Sequence, residues 1–327
     1  MDPTVLTQNL LSPPILFFAL GMLATWVRSD LMIPPAAAKA LSIYLLLAIG
    51  FHGGAELHRS GLDGTVVLVL GVAALASAIL PVLGYFVLRS RLGPADAAGI
   101  AACYGSVSAV TFITAISFLD RAEIAYSGYM IAAMALMESP AIITAIILVR
   151  IAHRDTGTAT RNGSTWRTMI HEAMANGAIL LLLGSLLIGY LSGEQGWETM
   201  KPLVKDPFQA ILCLFLLDMG IVAARRIVDL RRFGAFLIAF SLVAPPVQAA
   251  LGIIVAAMLG LSPGDALLLA VLFGSASYIA VPAALRLVLP KANPSLYVPM
   301  SLGLTFPLNI TIGIPLYFAM IDWWWTP

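Results

Sequence analysis

Residues 96–119 read DAAGIAACYGSVSAVTFITAISFL, and residues 265–289 read DALLLAVLFGSASYIAVPAALRLVL. Each run is long enough to cross a bilayer, which takes about 20 apolar residues. Each also carries a Gly-Ser-x-Ser cluster at its middle, Gly105-Ser106-Val107-Ser108 in the first and Gly274-Ser275-Ala276-Ser277 in the second. Glycine weakens a helix, and a serine hydroxyl competes with the helix for backbone partners. Two matched interruptions inside two spanning runs therefore predict a pair of broken membrane helices.

The rest of the chain fits that frame. Of 327 residues, 60% are hydrophobic and 11% are charged, against about 25% charged in a soluble domain. The mean hydropathy is +0.94, more apolar surface than one soluble core can hide. Charges and Pro/Gly clusters cut the chain into ten apolar segments, roughly 13–28, 34–52, 65–88, 95–119, 126–151, 170–192, 207–223, 233–260, 265–289 and 296–321. No segment alternates with period two, which excludes a β-barrel. Backbone polar groups in lipid must be satisfied within the segment, so the segments are helices. The net charge of +1 predicts no nucleic-acid partner. Cys103 and Cys213 sit in apolar runs and read as small buried hydrophobes. The start, Met1-Asp2-Pro3-Thr4, has no positive region before the first apolar run, so that run is expected to stay as a helix.

With ten spans, alternate loops share a side of the membrane. One side holds Arg59, Arg121, Lys201 and Lys205, and the opposite side holds the other 14 of the 18 Lys and Arg residues. The positive-inside rule then puts both termini outside and the loop after the fifth span in the cytoplasm. That loop divides the chain into a first five-helix half (residues 1–151), a linker (152–169) and a second half (170–327). The halves match at an offset near 170. Ile49-Gly50 corresponds to Met219-Gly220, the two Gly-Ser-x-Ser clusters to each other, and Pro140-Ala-Ile-Ile-Thr144 to Pro307-Leu-Asn-Ile-Thr311. Five is odd, so the second half enters from the opposite face and the repeat is inverted. In that architecture paired broken helices build a site near the midplane.

The start of each second half-helix offers unpaired N–H groups and the positive end of a dipole, both suited to an anion. Gly105, Ser106, Ser108, Gly274, Ser275 and Ser277 are the candidate substrate-binding residues. Glu138, in Met137-Glu138-Ser139-Pro140, is a carboxylate near the middle of a span, where charge is costly and usually functional. It could coordinate a cation or carry a proton. Thr111 and Asn309 lie on the same elements and are further candidates for a coupling ion. Trp323-Trp324-Trp325 reads as an interfacial anchor. No nucleophile elbow, phosphate loop, zinc motif or dinucleotide fingerprint is present, so no enzyme is expected.

Ile49-Gly-Phe-His-Gly-Gly54, Tyr104-Gly-Ser-Val-Ser108, Glu138-Ser-Pro-Ala141 and Ala292-Asn-Pro-Ser-Leu-Tyr297 together resemble the sodium-dependent bicarbonate transporter family of the cyanobacterial SbtA type, from about Ser12 to Tyr317. The resemblance implies ten helices, an elevator-like core and gate, a homotrimer, and bicarbonate held between the broken fourth and ninth segments with sodium beside it. It implies a bacterial inner membrane and, in some members, a PII-like regulator on the cytoplasmic side. Ser106, Ser108, Ser275 and Ser277 match the family's serine clusters. Glu138 stands where cyanobacterial members carry an Asp, and Tyr278 stands where they carry an Asp in the ninth segment, so the resemblance adds Tyr278 to the coupling-ion candidates and implies a site one carboxylate poorer. Three readings follow from the sequence. They are a cation (sodium)-coupled carrier of bicarbonate or a similar small anion, a proton-coupled carrier of a small organic anion, and an anion-binding membrane sensor without transport.

Overall fold

The computed structural model describes residues 9–61, 63–154, 177–229, 234–289 and 291–325, and all regular structure among them is helical. The linker expected at 152–169 falls, from residue 155 on, outside the described residues, as do Arg231 and Arg232. In chain order the helices are α1 (Pro13–Trp26), α2 (Pro35–Ser60), α3 (Gly64–Arg89), α4 (Pro94–Gly105), α5 (Ala109–Arg121) and α6 (Tyr129–Arg154). Then follow α7 (Gly177–Val204), α8 (Phe208–Asp229), α9 (Ala235–Met258), α10 (Pro263–Gly274) and α11 (Ala280–Val288). The last, α12 (Pro294–Trp325), alternates α-helical turns with π-helical ones at Pro299–Thr305 and Asn309–Gly313.

The starts of these helices are written in the sequence. Proline occupies the first turn of α1, α2, α4, α10 and α12, where its missing N–H leaves nothing unsatisfied. Asp63 caps α3 by accepting from Val66 N, Ser262 caps α10 by accepting from Asp265 N, and Asn293 caps α12 by accepting from Ser295 N.

Among the described residues, six stretches are long and apolar enough to cross a membrane: 35–59, 64–89, 94–121, 129–149, 235–258 and 294–325. A seventh is the pair Leu180–Val204 and Phe208–Ile227, bent by 48°. The helix α1 is apolar but has only 14 residues, about 21 Å of helix against a hydrocarbon core of about 30 Å. The chain is a multi-pass membrane protein, and its surface says so. Along α3, Val67, Leu68, Leu75, Ile79, Leu83 and Phe86 are all exposed, an apolar face that water would penalise and lipid does not.

Two packing groups emerge. In one, α2 lies along α7 and α1 along α8. A Cβ on Gly220 would run into the carbonyl of Phe18, and one on Gly50 would come within 2.6 Å of the carbonyl of Leu182. Bare backbone at these two positions lets the helices of each pair touch, the usual basis of helix association in lipid. The second group gathers α3, α4, α6, α9, α10 and α12 around the two broken segments. Of an apolar 18-residue run within 94–121, 94% is buried inside the protein, against 39% of the corresponding run in α3. Unpaired backbone at a helix break cannot be left facing lipid, so the broken elements sit inside and the intact ones shield them. A carboxylate locks this group. Asp265, 3% exposed at the start of α10, accepts from the N–H (2.6 Å) and Oγ (2.8 Å) of Ser127 and from Tyr129 OH (3.0 Å).

Candidate functional site

Both expected breaks are present. The fourth segment stops at Gly105 and restarts at Ala109, and the ninth stops at Gly274 and restarts at Ala280. Ser106 and Ser275 lead out of the first halves in extended conformation, with φ/ψ of −96°/−175° and −95°/169°. Glycine is needed just before each break for room. A Cβ on Gly105 would overlap the ring of Pro81 on α3, and one on Gly274 would come within 2.7 Å of the carbonyl of Pro245 on α9.

The two breaks meet and satisfy each other. Ser277 N–H donates to the carbonyl of Cys103 at 2.8 Å, and Ser108 N–H donates to Ser275 Oγ at 3.0 Å. The carbonyl of Gly274 is taken by Asn309 Nδ2 at 2.8 Å, and Asn309 Oδ1 accepts from Tyr317 OH at 2.8 Å. Both ends of the Asn309 amide are therefore committed to holding the end of α10. A second buried chain supports the end of α4. Thr305 Oγ1 gives its only proton to the carbonyl of Ser241 (2.9 Å), so Tyr104 OH must donate to Thr305 across their 2.7 Å contact.

The serines divide into two roles. Ser106 Oγ donates to the carbonyl of Glu138 at 3.4 Å, and Ser275 Oγ both accepts from Ser108 and donates to Leu272 O at 3.4 Å. These two hold backbone. Ser108 Oγ accepts twice, from Thr111 N (3.2 Å) and Thr111 Oγ1 (2.9 Å), which fills both lone pairs and leaves only its proton to offer. Ser277 Oγ accepts from Val281 N (3.2 Å) and likewise keeps its proton.

Both serines border a cavity of about 60 Å³ at the crossing. Ser108, Ser277, Tyr278 and Glu138 line it, together with Ala109 and Val110 of the first turn of α5 and Ile279 and Ala280 at the start of α11. First-turn N–H groups have no partner within their own helix. Two polar atoms on this wall are buried and unpartnered: Glu138 Oε2, and the hydroxyl of Tyr278, which lies beside Ser108 without reaching hydrogen-bond geometry. The opposite wall comes from the other packing group, from Ser42, Leu45 and Leu46 of α2 and Phe215 of α8. Nothing in the sequence marks this wall, because Leu45, Leu46 and Phe215 look like any apolar helix face. Of the ten residues singled out from the sequence, Ser108, Ser277, Tyr278 and Glu138 reach the cavity. Gly105, Ser106, Gly274, Ser275, Thr111 and Asn309 surround it without lining it.

The match to known proteins covers nearly all of this. A family model described as the Na+-dependent bicarbonate transporter superfamily matches residues 13–322. The chain belongs to that superfamily. The family is one of transporters, so the chain is not an enzyme. No curated protein matches the sequence. The family match spans both broken segments, Glu138 and the seam between the two packing groups. A second, more open chamber of about 520 Å³ is lined by Ile49, His52 and Glu56 of α2, by Ile116 and Asp120 of α5, and by Lys205. His52 Nε2 lies 3.8 Å from Glu56 Oε1 there.

Proposed function

We propose that this protein is a secondary transporter that takes up bicarbonate, or an oxyanion of similar size, through the cavity at the crossing of its two broken helices, driven by a cation gradient. The observation that carries the reading is that the two breaks cap each other, while Ser108 and Ser277, whose hydroxyl oxygens accept from the starts of the second half-helices, both line one small cavity. A hydrogen bond to a charged group contributes about 1.5–3 kcal/mol, and a helix N-terminus adds up to about 2 kcal/mol when partly buried. Two donors and two helix starts suffice to hold a small anion stripped of water.

The wider architecture proposed is ten membrane passes in two inverted halves, 1–151 and 170–327. It is supported by paired features. Gly50 and Gly220 each touch a helix of the opposite half, and Gly105 and Gly274 each sit on a proline, Pro81 and Pro245. Substrate crosses when the group holding the broken helices slides as one body against the α1, α2, α7 and α8 group. The seam supports this, because the cavity and the chamber both lie between the two groups. Both termini lie outside a bacterial inner membrane on the 14-to-4 split of Lys and Arg. A homotrimer and a PII-like cytoplasmic regulator rest on the family resemblance alone.

The test is uptake of labelled bicarbonate into liposomes carrying the purified protein, with and without an inward sodium gradient. Gradient-driven accumulation supports transport. Binding of bicarbonate by folded protein with no flux under any cation gradient favours an anion sensor instead.

A further inference from the structure

We propose that Tyr278 is an anion ligand, its phenolic O–H donating to the bound anion and setting the affinity for it, and that the phenol takes no part in holding the coupled cation. This rests on the reading that the crossing binds the anion. The two breaks differ in length. The first runs from Ser106 to Ser108, and the second from Ser275 to Ile279. With Ser108 matched to Ser277, Tyr278 falls in backbone that has no counterpart in the first break. Its ring packs on Phe306 of α12 with centroids 5.3 Å apart, and Phe306 in turn meets Phe18 of α1 edge-on at 5.5 Å. The side chain is 7% exposed. Packing has therefore fixed the phenol before any ligand arrives, which lowers the cost of binding through it.

The hydroxyl has a proton and no acceptor for it among the described residues. It is buried and makes no hydrogen bond to side chain or backbone. Ser108, the hydroxyl beside it, cannot take the proton, because Thr111 N and Thr111 Oγ1 fill both lone pairs of Ser108 Oγ. Glu138 does not take it either, and its own Oε2 is buried without a partner. A buried hydroxyl left unpaired carries its full desolvation cost, so its presence calls for an explanation. An anion oxygen in the cavity that Tyr278 lines with Ser108 and Ser277 supplies the missing acceptor. The charge is right as well. A phenol adds a donor without adding charge, whereas a carboxylate in its place would repel an anion. The cation has other oxygens on the same wall, in the Glu138 carboxylate, the Ser42 hydroxyl and the backbone carbonyls of the breaks, and carboxylates and carbonyls are the ligands a hard cation takes.

Calorimetric titration of the purified protein tests this, with bicarbonate at saturating sodium and with sodium at saturating bicarbonate. Thermal midpoints with and without bicarbonate are measured alongside. Tyr278→Phe is expected to weaken bicarbonate binding about tenfold or more and to leave the sodium affinity unchanged. Because the hydroxyl has no partner in the protein, the variant is also expected to hold or raise the midpoint measured without bicarbonate. The further rise that bicarbonate produces in native protein should shrink. A merely structural hydroxyl would give the opposite pair of results. Unchanged bicarbonate affinity in Tyr278→Phe, or a loss that appears in sodium affinity instead, overturns the proposal and leaves the transport reading standing. A midpoint that falls without bicarbonate does the same, since it assigns the hydroxyl to the fold. Failure of the folded native protein to bind bicarbonate at any sodium concentration overturns both.

Discussion

The backbone N–H of Ser108 donates to the Oγ of Ser275 at 3.0 Å, joining positions 167 residues apart. With the bond from Ser277 N–H to the carbonyl of Cys103, it makes each broken helix the cap of the other. The crossing is therefore one cooperative unit. Ser275→Ala leaves a buried N–H without an acceptor, which costs about 1–3 kcal/mol. The expected result is a lower thermal midpoint in detergent together with weaker bicarbonate binding. Ser192→Ala, at an exposed hydroxyl that only bonds back to Ile188 within its own helix, is expected to stay within about 0.5 kcal/mol.

Asn309 and Tyr317 form the brace on the other side of the crossing. Asn309→Ala frees the carbonyl of Gly274 and strands the Tyr317 hydroxyl, for an expected loss of about 2–3 kcal/mol. Tyr317→Phe removes one bond and should cost about 1 kcal/mol. Because the phenol acts only through the amide, the double variant should lose little more than Asn309→Ala alone. A double-mutant cycle on unfolding midpoints measures this, and strict additivity would show that the two side chains act separately.

Glycine separates a crowded position from an open one. Gly105→Ala forces a methyl group into the ring of Pro81, whereas a methyl on Gly71, also in a membrane helix, meets nothing within 4 Å. Overpacking of this kind costs about 1–3 kcal/mol, while Gly→Ala in an open helix position gains up to about 1 kcal/mol. The yield and thermal midpoint of Gly105→Ala should fall, and those of Gly71→Ala should hold or rise.

Asp265 ties the start of the second broken segment to the loop after the first. Replacing it with Ala removes the acceptor for Ser127 N–H, Ser127 Oγ and Tyr129 OH at once, for an expected loss of about 2–4 kcal/mol. Ser127→Ala removes one of these bonds and should cost about 1 kcal/mol. Comparison of the two unfolding midpoints checks the difference.

Much of this was readable from residues. Gly105-Ser-Val-Ser108 and Gly274-Ser-Ala-Ser277 announce the breaks, because a Gly followed by hydroxyl residues inside an apolar run has few other uses. Glu138 announces itself by its cost in lipid. The division of labour among the serines was not readable. Ser106 and Ser108 are chemically alike, and only partners from distant parts of the chain decide which keeps a free proton. Asn309 is a similar case, since an amide that could serve a ligand turns out to bond Gly274 and Tyr317. The wall from Leu45, Leu46 and Phe215 left no trace, because an apolar side chain facing a cavity and one facing lipid are the same residue. The π-helical turns of α12 also escaped, as hydropathy does not register how many residues make a turn.

The central claim is that the anion passes through the cavity at the crossing. The most direct measurement is bicarbonate uptake by protein carrying Val110→Cys, a cavity-lining position, with the two native cysteines at 103 and 213 replaced by Ala. A small methanethiosulfonate reagent is applied in the presence or absence of bicarbonate. The account predicts that modification stops uptake and that bicarbonate slows the modification. Uptake that continues at its full rate after complete modification of Val110→Cys would contradict it.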